Sequence, residues 1–440
     1  MALGGGTFSA QNKVLPGAYI NFVSRGGAKA EPAERGIVAL AMSLDWGEAG
    51  TIQEITSEQF INDSNRLFGY PSTHEKLKNL REVFRHATKV LLYRTVNGAV
   101  KASNTYATAR YAGIRGNDIS IVIQASTEGE SLYDVTTKLD GRTVQTQTVP
   151  SAAALLPNDF VEFKADATLA ETAGTPLTGG TNGDAVQMAQ HTAFLAALEA
   201  YHFHVLACPA VTKEAIEQYA AYTKRMREER GCKFQTVIYK ASGISAPDHE
   251  GIIQIVNTPE AATGADASLV YWVAGAQAGC PIHRSCTNML YDGEYQVGTP
   301  HTQAQLEECI HAGELAMHRV GSQIRVLLDI NSLVTYTEAK GDIFADNQVI
   351  RMIDQQGNDI ASLFNSKYLG AIPNNESGRA SFWNDVVTLH QGYAQMGAIE
   401  DFSADDIEIS KGDGKKAIVV SAAITVAGTM TKLYMTTVVQ

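Results

Sequence analysis

The sequence predicts a multidomain protein of the α/β plus β class, with an extended strand arm at each end. Three observations carry that expectation. Short apolar runs alternate with helix-period segments over 36–96 and again over 184–329. Between them, residues 99–180 carry strand patterns and almost no helical ones. Residues 14–24 (VLPGAYINFVS) and 431–440 (TKLYMTTVVQ) both alternate with the two-residue period of a half-buried strand.

At 440 residues the chain exceeds what one hydrophobic core fills, so roughly two to four domains are expected. Residues 1–30 form an N-terminal arm whose strand is followed by Gly26 and Gly27, which leave the backbone free to swing. Residues 31–98 form an α+β domain, with strands at 36–42 and 90–96. The helix between them, over 72–85, puts Leu77, Leu80, Val83 and Phe84 at helical spacing.

Residues 99–180 form a small antiparallel β-sandwich or barrel with strands at 118–124, 132–138 and 143–149. Asp140-Gly141 between the last two is a hairpin signal. The glycine-rich stretch 174–183 reads as a linker.

Residues 181–338 form an α/β core with a largely parallel sheet. Asp184 with Gln187 resembles a capping box opening a helix through Tyr201. Strands follow at 204–208, 234–239, 251–256 and 324–329, with helices at 213–229 and 267–277. Thr302 with Gln305 caps a further helix, expected to reach His318.

Residues 339–428 form an α+β domain with amphipathic helices at 347–368 and 378–396 and a hairpin from 407–410 and 417–426. The last element, 429–440, is a strand arm in which Leu433, Met435 and Thr437 alternate with Tyr434, Thr436 and Val438; Gly428 is its expected hinge.

Composition narrows the function. The net charge of −12 argues against a nucleic-acid backbone as partner. No window approaches a transmembrane span, so no membrane insertion is expected, and the first residues lack the basic and apolar regions of a secretory signal. Five scattered cysteines read as reduced thiols of a protein made in a cytoplasm, and their spacing does not suit a zinc site.

A search for chemistry returns little. Residues 179–184 (GGTNGD) precede a helix but carry no lysine for phosphate, and 113–116 (GIRG) lacks dinucleotide-loop spacing. Residues 243–247 (GISAP) fail the last position of a nucleophile elbow. His202 and His204 fall on one strand face, and His311, Glu314 and His318 on one helical face, but neither set has a third ligand at close spacing. Asp401, Asp405 and Asp406 read as a solvated loop. No catalytic, cofactor or metal site is expected. An α/β hydrolase-like enzyme with a non-standard site stays open as the alternative from another class.

A strand on a glycine-hinged arm can extend a neighbour's sheet instead of its own, and repeating such a contact builds a ring or a helical filament. The competing expectation is that both terminal strands pair within their own chain. Six segments bear on this: 13–22 (KVLPGAYINF), 112–120 (AGIRGNDIS), 295–308 (YQVGTPHTQAQLEE), 329–333 (DINSL), 346–351 (DNQVIR) and 372–385 (IPNNESGRASFWND). In order and spacing they resemble the contractile phage tail sheath proteins, in particular the shorter sheaths of Gram-positive phages and phage-like bacteriocins.

The resemblance implies stacked, hexameric rings of this chain around a tail tube protein, bounded by baseplate and tail terminator proteins. Such a sheath is assembled in a host bacterial cytoplasm and contracts from a metastable state to drive the tube through a cell envelope. It implies arm strands (Tyr19, Ile20, Asn21 and Phe22; Leu433 to Val438) that complete a sheet in the C-terminal domain of another copy. It also implies a core arranged like subtilisin but without its catalytic residues. A non-contractile assembly protein using the same arm exchange is the second alternative.

Overall fold

The computed structural model describes residues 34–244 and 247–438. Tyr19, Ile20, Asn21, Phe22, Gly26 and Gly27 therefore lie outside the described residues. The chain enters through β1 (Ile37–Met42), β2 (Ile52–Thr56), α1 (Ser57–Asn62), α2 (Ser64–Phe68), α3 (Lys78–Phe84) and β3 (Lys89–Arg94). The helix expected over 72–85 starts late, because a 3-10 turn at Glu75–Leu77 precedes α3. β2 escapes a period-based reading: IQEIT has only two apolar residues and pairs antiparallel to β3 at the sheet edge.

The next segment is wholly β: β4 (Ala107–Ala109), β5 (Ile119–Ala125), β6 (Tyr133–Leu139), β7 (Arg142–Val149), β8 (Val161–Phe163) and β9 (Thr172–Pro176). Four of these form an antiparallel sheet in the order β7-β6-β5-β9, and β4 pairs with β8. The β6–β7 turn has Asp140 at φ 51° and Gly141 at φ 76°, the two left-handed positions that an Asp-Gly hairpin supplies. Ile119, Ile121 and Ile123 turn one face of β5 into a core shared with Val135, Leu139 and Phe160. Trp46, from the preceding segment, stacks on Phe160 and ties the two units together.

Entry and exit of this unit lie side by side. Val100 and Thr181 exchange N–H···O bonds of 3.0 and 3.1 Å, and the Asp184 N–H donates to the Asn97 carbonyl at 2.8 Å. The capping box expected from Asp184 and Gln187 is thereby displaced. Gln187 itself caps, exchanging contacts with Gln190, and the helix begins at Met188.

The core continues with α4 (Met188–Leu198), β10 (Val205–Cys208), α5 (Lys213–Glu228), β11 (Gln235–Tyr239), β12 (Ile252–Ile255), α6 (Leu269–Gly279), α7 (Gln303–His311), β13 (Glu314–Leu315), β14 (Met317–Val320) and β15 (Gln323–Val326). One seven-stranded sheet runs β13-β12-β11-β10-β1-β3-β2, parallel throughout except at β2. The two domains expected on either side of the β unit instead share this single sheet, with the β unit inserted between its halves.

Alternation sets the two faces. Val38, Leu40, Val205 and Ala207 point to a layer that includes α3 and α6, while Ala39, Leu206 and Cys208 point to α4 and α5. Helix α6 is buried almost all round, and its Gly275 and Gly279 lie so close to the α3 end that a methyl group there would collide with the Val83 and His86 carbonyls.

Helix α7, expected to reach His318, stops at His311, because Gly313 adopts φ 69° and turns the chain into β13 and β14. The strand expected at 324–329 is shorter at its C-terminal end, pairing with β14 as a hairpin outside the main sheet.

The C-terminal domain holds α8 (Asn347–Leu363), α9 (Glu376–Gln395), β16 (Ile399–Glu400), β17 (Ile407–Lys411), β18 (Ile418–Ala422) and β19 (Thr425–Val426). The expected long helix 347–368 is α8 plus one π turn at Phe364–Tyr368. The strand expected at 417–426 breaks after Ala422, so β18 pairs with β17 and β19 pairs with β16. Residues 427–438 form neither helix nor ladder.

Candidate assembly surfaces

Helix α8 positions the C-terminal domain. Its N-cap Asp346 accepts from the Gln348 N–H at 2.7 Å, and from there the helix presents two faces. On one, Asn347, Arg351 and Asp354 meet the α/β core. Arg351 donates to Asp329 Oδ2 at 3.0 Å, to Gln277 Oε1 at 2.6 Å and to the Arg284 carbonyl at 2.8 Å. Both side chains of the Arg351–Asp329 pair are 0% exposed. Gln277 Nε2, Asn347 Nδ2 and the Cys286 N–H also donate to Asp329, at 2.5, 2.9 and 2.8 Å.

Burial alone would raise the Asp329 pKa. The Arg351 charge and these hydrogen bonds outweigh it and hold the carboxyl below its usual range. One turn on, Asp354 takes a two-pronged ion pair from Arg227 of α5, at 2.6 and 2.8 Å.

The opposite face of α8 builds the domain's own core. Met352 packs with Leu389 and Tyr393 of α9 and Ile399 of β16; Leu363 packs with Phe382, Val386 and Ile407. The hairpin β17–β18 lies on α9, where Trp383 Nε1 donates to the Ile407 carbonyl at 2.7 Å. It is a two-stranded sheet, so among the described residues neither outer edge is paired with a third strand. Beside it, a groove of about 650 Å³ opens between the end of α8, the start of α9 and the hairpin. Phe364, Leu369, Ile372, Phe382 and Ile418 line it, with Lys415 and Lys416 at one side.

The C-terminal arm leaves from β19. The Ala427 N–H donates to the Ala398 carbonyl at 3.0 Å. The Gln348 side chain then takes both sides of Gly428, donating to the Ala427 carbonyl at 2.8 Å and accepting from the Thr429 N–H at 3.2 Å. Beyond this point Leu433, Tyr434, Met435 and Val438 are 78–88% exposed, and Thr436 is exposed as well.

The residues screened for chemistry take structural places. His204 Nδ1 accepts from the Ile37 N–H at 3.2 Å between β1 and β10. Burial, with help from the nearby Arg35 charge and His202, pushes its pKa down to about 2, so the ring is neutral. His202 lies edge-on to it, with ring centroids 5.1 Å apart. The end of α7 separates His311 from Glu314 and His318, which enter strands; Glu314 pairs with Lys240. Among the described residues no group of three or more His, Cys, Asp or Glu is arranged to hold a metal ion.

Arg115, inside the GIRG string, is buried and stacks over Tyr70, donating to the Gly69 carbonyl and to Asp118 and Asp140. Asp406 closes a local capping turn with Ser403. Sequence reasoning did not place Gln277, Asp329 and Arg351 in one buried polar seam, nor Gln348 beside the arm root. For Gln348 and Arg351 the available signal was polar residues recurring on the buried face of the amphipathic helix α8.

Exposed apolar arm residues lie in the same domain as a hairpin whose edges have no third strand among the described residues. The chain belongs to the phage tail sheath family. Four family models match in succession: the tail sheath protein Gp18 domain III N-terminal region at 35–95, the sheath β-sandwich domain at 95–182, the sheath central domain at 184–332 and the sheath C-terminal domain at 339–440.

Among its relatives is the XkdK protein of the phage-like element PBSX of Bacillus subtilis (strain 168), 32% identical over 98% of this chain and 99% of that one. The crystal structure of a sheath tail protein from Desulfitobacterium hafniense matches at 33% identity, covering 95% of this chain and 99% of that one, with a TM-score of 0.80. A Listeria innocua sheath tail protein matches at 30%, covering 92% and 95%, also with a TM-score of 0.80. These relatives are structural proteins of phage tails and phage-like particles, and this chain is a structural sheath subunit.

Proposed function

We propose that the protein polymerises by exchanging terminal strands and contracts as a sheath to drive a tail tube through a cell envelope. One observation carries the reading. Residues 430–438 form neither helix nor ladder and expose Leu433, Tyr434, Met435 and Val438, while the hairpin β17–β18 of the same domain has no third strand among the described residues. Leaving Leu433, Tyr434, Met435 and Val438 in water forgoes burial of about 1.5–3 kcal/mol for each large side chain. Seated along β17–β18 of another copy, the arm recovers that burial and adds main-chain hydrogen bonds.

In this reading the N-terminal strand of Tyr19 to Phe22 joins the same sheet, with Gly26 and Gly27 as its joint. The particle is a stack of hexameric rings on a tail tube protein, closed by baseplate and tail terminator proteins and put together in the host bacterial cytoplasm. Contraction repacks subunit bodies rigidly while the strand links persist. The parallel run of the core sheet supports a subtilisin-like arrangement, serving as a rigid body with no catalytic role.

Deleting residues 431–440 tests the reading. The expected product is a folded, soluble protein that forms no sheaths by negative-stain microscopy. Normal polymerisation of that truncation would overturn it.

A further inference from the structure

Gln348 is 1% exposed, on the first turn of α8, and its amide spans one residue of the arm root. It donates to the carbonyl before Gly428 and accepts from the N–H after it. A residue in a parallel neighbouring strand makes that same pair of contacts, one donated to i−1 and one accepted from i+1. A primary amide offers both a donor and an acceptor in one plane, so Gln348 imitates a strand partner with a side chain. The helix carrying it is held to the core on both sides of this position, by Asn347 and Arg351 on Asp329 and by Asp354 on Arg227.

We infer that Gln348 is a positioning residue for sheath assembly: it fixes the direction in which the C-terminal arm leaves, in the frame of the α/β core. This rests on the strand-exchange reading and specifies how that exchange is aimed. The swinging part of the arm then starts at Met430, and Gly428 is a clasped residue. Consistent with that, a methyl group added at Gly428 would meet no atom within 4 Å, and its φ is not left-handed, so nothing there demands glycine. The partner addressed is the hairpin edge of a second copy, which the arm reaches only if it leaves at the right angle.

The test uses the full chain and two substitutions that open the clasp from opposite sides. Gln348→Leu removes both side-chain contacts at similar volume. Thr429→Pro removes the arm's donor and also fixes φ at that residue, at an exposed position where folding of the body is not at stake. Hydrogen exchange of a peptide spanning 424–432 should speed up about tenfold in each variant, as expected for a local opening that loses a hydrogen bond. Sheath yield by negative-stain microscopy should fall several-fold, while Gly428→Ala leaves both readouts unchanged.

Unchanged exchange, or sheaths of normal yield and order in both clasp variants, overturns the inference. The 431–440 deletion keeps the two readings apart. If it abolishes sheaths while the clasp variants assemble normally, only the clasp fails; if the deletion itself assembles, the strand exchange fails.

Discussion

Two regions of this molecule invert the usual distribution of side chains, in opposite senses. Where α8 meets the core, charges are buried: Arg351 and Asp329 are wholly out of solvent. Along the C-terminal arm, apolar groups are exposed: Leu433 and Tyr434 are 85% and 88% accessible. Burying an ion pair costs several kcal/mol per ion before the partners offset it, so the first region is retained where geometry must be unique. Exposing a row of apolar side chains is stable only until something covers them. The first inversion ties two domains together; the second leaves apolar surface uncovered in the single chain.

The comparison breaks most sharply at Arg351. Arg351→Met leaves Asp329 buried without its cation and should cost about 3–5 kcal/mol, read as a lower urea midpoint. Adding Asp329→Leu should recover part of the loss, because it removes the stranded charge. Equal midpoints for Arg351→Met and the unaltered protein would mean that the seam does not lock the domains.

A second effect, smaller per pH unit, comes from acid. His204 is neutral in the fold, with a pKa of about 2, and titrates near 6.5 when unfolded. Below about pH 6.5 the unfolded chain binds the extra proton, so stability falls by up to about 1.4 kcal/mol per pH unit as acid is added. Above that pH its contribution is fully present. His204→Asn should flatten the acid limb of a stability profile measured by chemical denaturation, and an unaltered slope would contradict the assignment.

The smallest stability effect belongs to the arm and is the most informative for the contrast. Tyr434→Pro removes one backbone N–H from an exposed segment outside any ladder, so the fold should change by less than about 0.5 kcal/mol. Sheath formation, scored by microscopy, should nevertheless be lost. A variant that destabilised the isolated subunit would place the arm inside its own fold.

The layered core was legible because strands buried on both faces, such as VLAC and IIQI, read as continuous apolar runs. The Asp-Gly turn was legible because its chemistry is local. Helix α7 was overextended because Gly313, which ends it through its own backbone, sits in a stretch whose apolar spacing continues. That the stretch before residue 98 shares a sheet with the core was illegible for a different reason. Parallel pairing of β1 with β10 joins residues more than 160 positions apart, and no local pattern encodes that partner.

The candidate assembly surfaces were legible only in part. Alternation predicts a strand from Leu433 to Val438, which forms no ladder within the described chain, and the destination proposed for it comes from the resemblance. Nothing in a lone glutamine announced a clasp, since Gln348 acquires its meaning only when α8 is laid beside residue 428. Arg351 and Asp329 likewise look like ordinary surface charges until both are placed under cover.

The paired crossing at Val100 and Thr181 has a consequence for how such chains vary. Because outgoing and returning strands are already zipped together at the mouth of the β unit, the excursion between them is topologically a single long loop. A replacement of any length could be spliced at that neck without altering the register of the sheet below. Cutting it down to a short turn would remove a whole lobe and uncover Trp46, whose ring is buried against Phe160 of that lobe.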